Sequence, residues 1–313
     1  MRGFLNINKP AGMTSHDVVA VIRRSMRTKR VGHGGTLDPD AQGVLVVAVG
    51  PATRALQYLE QWPKIYCAQL ELGSATDTQD GSGQKTMVRE DSFSVSHEEM
   101  LAVLNSFLGY SEQIPPMYSA IKIGGQKLYE AARKGITIER KPRPIKIESI
   151  ALLDEADHWG PGARVSIRVT CSAGTYIRTL CHDIGIKLDC YAHMTHLIRE
   201  RSGAFRIEEA VPLDLLRDTS QIDTTAAAAT YLIGINEALA HLPAARLSAD
   251  LSRRVLYGNT VTIDECIING LCRLQDVSGK ILAIGECRET ESNETGQGGV
   301  TVHPICVFST PEE

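Results

Sequence analysis

A glycine-rich loop carries the densest group of reactive side chains in the sequence. It runs from residue 31 to residue 43 as VGHGGTLDPDAQG, and it presents His33, Asp38 and Asp40 just before an apolar run. A polar loop that enters a core strand can hold a carboxylate rigidly in front of a substrate. An Asp-Pro step is also typical of a turn initiator, and the residues alone leave both interpretations open.

The spacing of this loop excludes two kinds of phosphate site. A dinucleotide-binding G-x-G-x-x-G motif that starts at Gly32 needs glycine at position 37, where the sequence has leucine, and no Walker A lysine follows. We therefore do not expect the loop to bind a nucleotide cofactor.

A second cluster lies in residues 171–185, where a strand is expected to pass into a helix and Tyr176 and Arg178 fall at the junction. An arginine near a helix N-terminus can pair bidentately with a carboxylate such as Asp38, or with phosphate. A guanidinium beside a catalytic aspartate would keep that carboxylate ionised. A surface arginine next to a core tyrosine is an equally good interpretation of these residues on their own.

Histidines and cysteines were considered as metal ligands. His193 and His196 are three residues apart, but no third ligand is evident nearby. Because a catalytic zinc normally takes three protein ligands, we expect no metal. The eight cysteines form no C-x-x-C pair and lie mostly in apolar runs, which indicates buried, reduced thiols rather than a disulfide framework.

Apolar periodicity predicts the elements that must position these groups. Strands are expected at 4–8, 43–50, 66–72 and 165–171, and helices are expected after a capping Ser15, at 98–108 and at 175–188. The run 43–50 is continuous and apolar, as in a strand buried on both faces. These elements predict a central sheet flanked by helices.

Beyond about residue 245 the sequence changes to short β-favouring segments separated by turn residues. The segments are 260–263, 271–275, 281–285 and 300–308, with a flexible loop at 292–299. This spacing predicts a small C-terminal β-barrel.

Length and composition describe a soluble globular chain of 313 residues, 43% hydrophobic and 22% charged, with room for one large and one small domain. No stretch approaches the roughly 18 apolar residues of a membrane span, and residues 1–9 lack the pattern of a secretory signal, so the expected location is the cytoplasm.

The net charge of −4 is unevenly distributed, because residues 211–313 contribute −7 and residues 1–210 contribute +3. Seven basic residues fall within residues 1–31 and six within residues 133–146. Two such patches fit contact with a polyanion, although a solvated face explains either patch alone.

Several motifs in one order resemble the bacterial tRNA pseudouridine-55 synthases, the TruB family, across essentially the full length. The matching stretches are GFLNINKPAGMTS (3–15), VGHGGTLDPDAQGVL (31–45), KIY (64–66), LG (72–73), TDT (76–78), PPMYSAIKIGGQKLYEAARKGI (115–136), CSAGTYIRTL (171–180) and LIR (197–199).

The resemblance assigns roles to individual residues. It implies that Asp38 is the nucleophile and that Tyr176 and Arg178 lie beside it. It implies that His33 contacts the RNA, that Tyr66 stacks on the target base and that Leu197 lines the uracil pocket. Tyr66 is also a candidate base for the proton lost from C5. Asp40 occupies a position that is usually apolar in the family, and Gly34 and Gln42 both replace a frequent threonine, which puts the rigidity of the loop in question.

The family's fold and reaction follow as expectations. We expect an α+β pseudouridine synthase fold with a mixed, largely antiparallel sheet flanked by helices in residues 1–245, and a PUA-like β-barrel in residues 246–313. An RNA-binding arm is expected at 115–146. The residues expected to contact RNA are Lys9, Arg133, Lys134, Arg140, Lys141 and Arg143. The expected substrate is the T-arm of tRNA, modified by a monomer without a cofactor or a metal.

Two other functions compete with this one. A tRNA-folding chaperone would use the same surface without chemistry. An aspartate-dependent nucleosidase would need a second, properly spaced carboxylic acid, for which Asp40 is the only nearby candidate in the sequence. The chemical route also stays open among attack at C1′, attack at C6 and glycal formation.

Overall fold

The computed structural model describes residues 1–59, 61–217, 224–263, 269–289 and 300–308. The loop expected at 292–299 and one of the eight cysteines, Cys266, lie outside these residues.

The described residues form a strand-rich chain. Its strands are β1 (Gly3–Lys9), β2 (Val31–Gly34), β3 (Gln42–Val49), β4 (Lys64–Leu72), β5 (Ser74–Thr76), β6 (Lys85–Val88), β7 (Val95–Ser96), β8 (Gly109–Gln113), β9 (Lys122–Ile123), β10 (Gln126–Lys127), β11 (Arg143–Leu152), β12 (His158–Trp159), β13 (Arg164–Cys171), β14 (Ala192–Ser202), β15 (Phe205–Arg206), β16 (Val211–Pro212), β17 (Ala244–Arg246), β18 (Val261–Ile263), β19 (Gly270–Gln275), β20 (Ile281–Glu289) and β21 (Val300–Val307).

Helices are fewer and shorter. They are α1 (Ser15–Ser25), α2 (His97–Asn105), α3 (Leu128–Ala132), α4 (Ile177–Lys187), α5 (Thr224–Thr230), α6 (Ile235–Ala238) and α7 (Ala249–Leu256), with 3₁₀ turns at Gly50–Tyr58, Ile207–Glu209 and Leu213–Leu216. Within the described residues, no helix is long and apolar enough to cross a membrane.

The main sheet has ten strands in the order β16-β1-β3-β14-β4-β13-β11-β8, with β2 beside β3 and β15 beside β14. The β1–β16 and β3–β14 pairs are parallel and the other pairs are antiparallel. The expected mixed, largely antiparallel sheet is therefore confirmed.

Strand β3 is buried on both faces, as its apolar run predicts. Leu45 and Val47 belong to a core that includes residues of α1 and α4, while Val44 and Val46 face a second core on the other side. Alternate residues of a strand point to opposite faces, so one strand contributes to both cores. The helices α1 and α4 thus share one face of the sheet.

The C-terminal strands form a separate five-stranded sheet in the order β17-β19-β20-β21-β18, as expected of a PUA-like domain. Its residues Ile284 and Phe308 pack with Val46 in the second core. The sheet begins with β17 at Ala244, so its first strand starts before the expected domain boundary at residue 246.

The segment expected to form an RNA-binding arm leaves the sheet after β8. It contains the short β9–β10 hairpin, turned by Gly124 and Gly125 in left-handed conformations, followed by α3. The residues from Arg143 onward pair with β8 as part of β11, so residues 143–146 belong to the sheet rather than to the arm. The name "arm" is used below for residues 114–142.

Two expectations about local structure were wrong. The residue that caps α1 is Thr14, whose side chain accepts from Asp17 N in a capping box, and Ser15 is the first helical residue. Residues 192–202 form the central strand β14, which the sequence analysis did not predict. His193 on this strand is buried and His196 is exposed, so the two histidines do not form a metal pair.

Candidate active site

The carboxylate of Asp38, in the loop before β3, meets the guanidinium of Arg178, in the first turn of α4. Arg178 Nε lies 2.9 Å from Asp38 Oδ2, and Arg178 Nη2 donates to Asp38 Oδ1 at 3.2 Å. The Asp38 side chain keeps 37% of its surface exposed, whereas that of Arg178 keeps 5%. The expected pair therefore forms, with the carboxylate accessible and its partner buried.

The loop that carries Asp38 is held on both sides of this residue. Leu37 N donates to Ser15 Oγ at 3.0 Å, and Ser15 Oγ donates back to the Leu37 carbonyl at 3.2 Å. The Pro39 carbonyl accepts from Lys9 Nζ at 2.8 Å and from Gly12 N at 3.0 Å. These bonds come from β1 and α1, so the loop is fixed by the core of the fold.

Lys9 was expected to contact RNA, and the structure does not support that role. The residue has no exposed surface, and its Nζ donates to the Pro10 and Pro39 carbonyls. Burial lowers the pKa of Lys9 to about 8, against the opposing charges of Asp40 and Asp38. Lys9 therefore supports the loop that carries Asp38.

Glycine is required where the loop joins β3. Gly43 has a φ of +100°, and a Cβ on this residue would lie 2.3 Å from the Arg199 carbonyl oxygen of the neighbouring β14. No other residue fits so close an approach of two backbones. With Gly34 and Gln42 in place of the frequent threonines, this junction and the bonds to Ser15 and Lys9 are present.

The guanidinium of Arg178 also contacts two other segments of the chain. Nη1 donates to the Thr78 carbonyl at 3.0 Å and lies 3.3 Å from Asp80 Oδ2, and Nη2 donates to the Tyr118 carbonyl at 2.8 Å. Arg178 thus connects Asp38, the loop after β5 and the root of the arm. A planar guanidinium suits this arrangement, because its donors have fixed directions.

Asp80 is a site residue that the sequence analysis missed. Its Oδ1 accepts from Thr78 Oγ1 at 2.7 Å, from Ser82 N at 3.0 Å and from Ser82 Oγ at 2.5 Å. One oxygen therefore binds its own loop and the other faces Arg178, so Asp80 links this loop to the guanidinium. The TDT motif (76–78) was noted for its family resemblance, but nothing in it singled out Asp80.

The pKa of Asp38 is raised above its usual value, chiefly because burial disfavours the charged carboxylate. The charge of Arg178 lowers this pKa and that of Asp80 raises it. The expectation that the arginine favours the ionised form is right in direction, but burial has the larger effect. The result is a carboxylate more basic than an ordinary aspartate.

Tyr66 lies on β4, facing the core that contains α1 and α4. Burial raises the pKa of its phenol, and the nearby Arg199 guanidinium only partly opposes this effect. The phenol is therefore neutral at physiological pH. A neutral ring suits stacking on a base, and the proton transfer considered for Tyr66 would have to use the oxygen lone pair of the intact phenol.

Arg199 is a second residue whose role the sequence analysis missed. It is 1% exposed, pairs with Tyr66 in the register of β14 and β4, and donates to the Val44 carbonyl at 2.6 Å and the Gly35 carbonyl at 3.1 Å. Leu197, two residues earlier, is buried on the same face. Arg199 thus links the loop, β3 and the strand beside Tyr66.

His33 lies on β2, with its ring edge-to-face against His16 at 5.3 Å between centroids. Its pKa is lowered to about 4, first by burial and then by the charges of His16 and Arg199. The imidazole is therefore neutral at physiological pH, so a contact with RNA would be a neutral hydrogen bond or a stacking contact.

The cations assigned to the arm and its return strand divide into two groups. Arg133, Lys134, Lys141 and Arg143 are exposed. Arg140 is half-buried, and its Nη1 donates to the Pro115 carbonyl at 3.0 Å. Arg140 therefore joins the two ends of the arm, and the other four are available for phosphate contacts.

Metal ligands do not cluster in the part of the chain that the structure describes. No group of three or more histidine, cysteine, aspartate or glutamate side chains there could hold an ion. His193 Nδ1 instead lies 3.0 Å from the Ser74 carbonyl.

Comparisons with known proteins show which family the chain is similar to. Residues 23–177 match the N-terminal domain model of the TruB family pseudouridylate synthases, and residues 178–240 match the tRNA pseudouridylate synthase B C-terminal domain. The tRNA pseudouridine synthase B of Bacillus subtilis is 45% identical over 82% of both chains, and that of Heliobacterium mobile is 44% identical over 91% of this chain and 90% of its own.

Solved structures extend the similarity to the C-terminal sheet. A chain of an H/ACA ribonucleoprotein bound to a substrate RNA containing 2′-deoxyuridine aligns with a TM-score of 0.73 at 28% identity, covering 99% of this chain and 86% of that one. A Cbf5-Nop10-Gar1 complex contains a chain that aligns with a TM-score of 0.72 at 29% identity, again over 99% and 86%.

The mixed sheet flanked by helices and the similarity to these solved structures define the pseudouridine synthase class of fold. The similarity to family members over most of the chain narrows the assignment from this class to one family. The chain belongs to the TruB family of tRNA pseudouridine synthases.

Proposed function

We propose that this protein converts uridine 55 in the T-loop of tRNA to pseudouridine, with Asp38 as the residue that reacts with a flipped-out nucleotide. The proposal is carried by one observation, the partly exposed Asp38 carboxylate held at two points by the buried Arg178. The relatives named tRNA pseudouridine synthase B support tRNA as the substrate.

The reaction is an isomerisation that needs no oxidant or reductant. The bond from N1 to C1′ breaks, C5 bonds to C1′, the proton on C5 is lost and N1 gains a proton. An ionised Asp38 would attack C1′ or C6, or remove the C2′ proton so that a glycal forms. The raised pKa of Asp38 serves all three routes, because a more basic carboxylate is a better nucleophile and a better base.

The target base must leave its stack to reach Asp38, which costs a few kcal/mol. We propose that Tyr66 offsets this cost by stacking on the uracil, with Leu197 as an apolar wall and His33 and Tyr176 as contacts at the rim. Tyr66 and Leu197 face the same buried side of the sheet, which supports this arrangement.

The exposed cations of the arm are proposed to bind phosphates of the T-arm. RNA loops are recognised by shape, splayed bases and phosphate contacts, and a hairpin with basic flanks suits that task. We propose further that the protein works in the cytoplasm as a monomer and without a metal, so that chelation by EDTA leaves turnover unchanged.

Neither competing function fits the site as well. A nucleosidase needs a second carboxylic acid. Asp80 is held by three donors and Arg178, and an Asp40→Asn variant tests the remaining candidate. A folding chaperone does not need the Asp38–Arg178 pair. Its RNA-binding surface is the one proposed for catalysis, so one experiment can separate the two functions.

The test compares Asp38→Asn with Asp40→Asn, which alters an exposed carboxylate two residues away in the same loop. We expect Asp38→Asn to bind tRNA normally and form no pseudouridine, and Asp40→Asn to retain near wild-type turnover. Pseudouridine is mapped in tRNA and in the same tRNA with cytidine at position 55. Normal turnover by Asp38→Asn would show that Asp38 is not the reacting residue. Pseudouridine in the cytidine-55 tRNA would show that the enzyme modifies a uridine other than the one at position 55.

A further inference from the structure

A buried glutamine stands where the arm leaves the main sheet. Gln113 is the last residue of β8 and 5% exposed, and the arm begins with the next residue. Its side-chain amide crosses to the start of α4, where Oε1 accepts from Tyr176 N at 2.8 Å and Nε2 donates to the Tyr176 carbonyl at 3.0 Å. Both polar atoms of the amide are thereby used on one residue.

The N-terminus of α4 depends on this contact. Tyr176 is the N-cap residue and makes no capping hydrogen bond with its own side chain. The first N–H groups of a helix have no partner within the helix, so a partner from elsewhere fixes the position of the first turn. Gln113 provides that partner two residues before Arg178.

Arg178 also contacts the arm directly. Its Nη2 donates to the Tyr118 carbonyl at 2.8 Å, and the same nitrogen donates to Asp38 Oδ1. The position of the arm's root and the position of the guanidinium are therefore coupled at two points, one through Gln113 and Tyr176 and one through Tyr118.

We infer that Gln113 is a positioning residue for the reaction, which ties the root of the RNA-binding arm to the start of α4 and so holds Arg178 in register with Asp38. The Gln113 amide binds Tyr176 rather than the reacting carboxylate, and the link to the proposed phosphate site is only the backbone pairing of Gln113 with Arg143 between β8 and β11. Its contribution is to the geometry of the pair, and an ion pair that stabilises a reacting group loses effect when it is misplaced by as little as about 1 Å.

The test replaces Gln113 with methionine, which has a similar length and shape but no hydrogen bonds to offer Tyr176. We expect kcat on tRNA to fall about tenfold or more while Kd for tRNA stays within about threefold, because the arm cations are unchanged. A looser hold of Arg178 on Asp38 raises the pKa of the carboxylate further. The acid limb of the kcat profile should therefore move to higher pH than in the wild type.

Two further variants complete the experiment. Gln113→Asn keeps an amide that is one methylene too short to reach both groups of Tyr176, so the same result is expected should the methionine variant fail to fold. Gln275→Met is the matched control, since Gln275 on β19 of the C-terminal sheet is also buried and its Nε2 donates to Asn236 Oδ1 of α6. That variant should keep the wild-type kcat and acid limb.

Three results would overturn the inference: a wild-type kcat in both folded Gln113 variants, a lower kcat with an unmoved acid limb, or a loss of tRNA binding that accounts for the whole decrease. The inference rests on Asp38 as the reacting carboxylate. Asp38→Asn, measured in the same series, tests that premise separately: an inactive Asp38→Asn beside a fully active Gln113→Met excludes only the role of Gln113.

Discussion

The two sides of the candidate active site are held in different ways. The Asp38 loop is fixed by Lys9 of β1, by Gly12 of the turn that follows β1, and by Ser15 of α1. The arm on the other side is joined to the site through Gln113, the Tyr118 carbonyl and the Arg140 contact with Pro115. Asp38 is thus placed by the core, and its charged partner Arg178 is placed partly by the segment proposed to bind RNA.

This difference suggests that the two sides of the site affect the reaction in different ways. A fixed carboxylate avoids the cost of reorganising a reactive group during the reaction. A guanidinium that contacts the arm gives the RNA-binding segment a direct connection to the pKa and orientation of Asp38. Variants of the contacts that hold the Asp38 loop should therefore change kcat alone. Among variants on the arm side, some should change kcat and others should change Kd for tRNA.

The largest effect is expected at Arg178, where the two sides meet. Arg178→Lys keeps the charge, but an ammonium cannot serve both Asp38 oxygens together with the Thr78 and Tyr118 carbonyls. We expect kcat/KM to fall more than about 100-fold, equivalent to about 2.7 kcal/mol of transition-state stabilisation. Steady-state assays of pseudouridine formation in tRNA would measure it.

The same variant has a pH dependence with a definite sign. Asp38 acts ionised, so activity is lost as the pH falls through its raised pKa. A poorer pair raises that pKa further and moves the acid limb to higher pH. Arg168→Lys is the control, because Arg168 makes a bidentate pair with Glu200 at an exposed position. An Arg178→Lys enzyme as active as this control would show that the fork is not needed.

A smaller effect is expected on the loop side, where two adjacent hydroxyls have different tasks. Ser15→Ala removes both hydrogen bonds to Leu37, and we expect kcat to fall about tenfold as Asp38 loses its fixed position. Thr14→Ala removes the cap of α1 and should cost about 1 kcal/mol of folding stability with little change in kcat. Thermal melts and kinetics on both variants would separate the two roles. Equal kcat values for the two variants would contradict this assignment of roles.

The sequence was a better guide to the Asp38–Arg178 pair than to the residues that support it. Motifs at a loop and at a strand-to-helix junction made Asp38 and Arg178 candidates, and the family resemblance favoured them where the residues alone left other interpretations open. Asp80, Arg199 and Gln113 were missed, because their partners Arg178, Val44 and Tyr176 are 98, 155 and 63 residues away in the chain and nothing local marks such contacts. Their importance becomes visible only when the sheet order is known.

The same reason explains the wrong local predictions. The central strand β14 contains Arg199, Glu200 and Arg201, so its apolar alternation is interrupted by charge. Arg199 is nevertheless buried, because backbone carbonyls of the loop and β3 accept its donors. Lys9 was assigned to RNA because a lysine in a basic segment is usually exposed, and its burial follows from its place on β1 beneath the Pro39 carbonyl.

The smallest effect on the chemical step is expected from the exposed cations at and beside the arm. Lys134→Ala, Lys141→Ala and Arg143→Ala together should raise Kd for tRNA while kcat at saturating tRNA stays within about twofold, because none of the three contacts Asp38 or Arg178. Each lost phosphate contact should reduce the slope of log K against log salt by about 0.7 to 0.9. Binding titrations at several salt concentrations measure that slope.

Arg140 is the informative comparison for this triple variant. Its Nη1 donates to the Pro115 carbonyl, so Arg140→Ala alters the arm's root without removing an exposed cation. We expect that variant to lower kcat and leave the salt slope nearly unchanged, the opposite of the triple variant. An identical response of the two variants would show that the arm acts as a single electrostatic surface. The coupling between its root and Arg178 would then have no part in the rate.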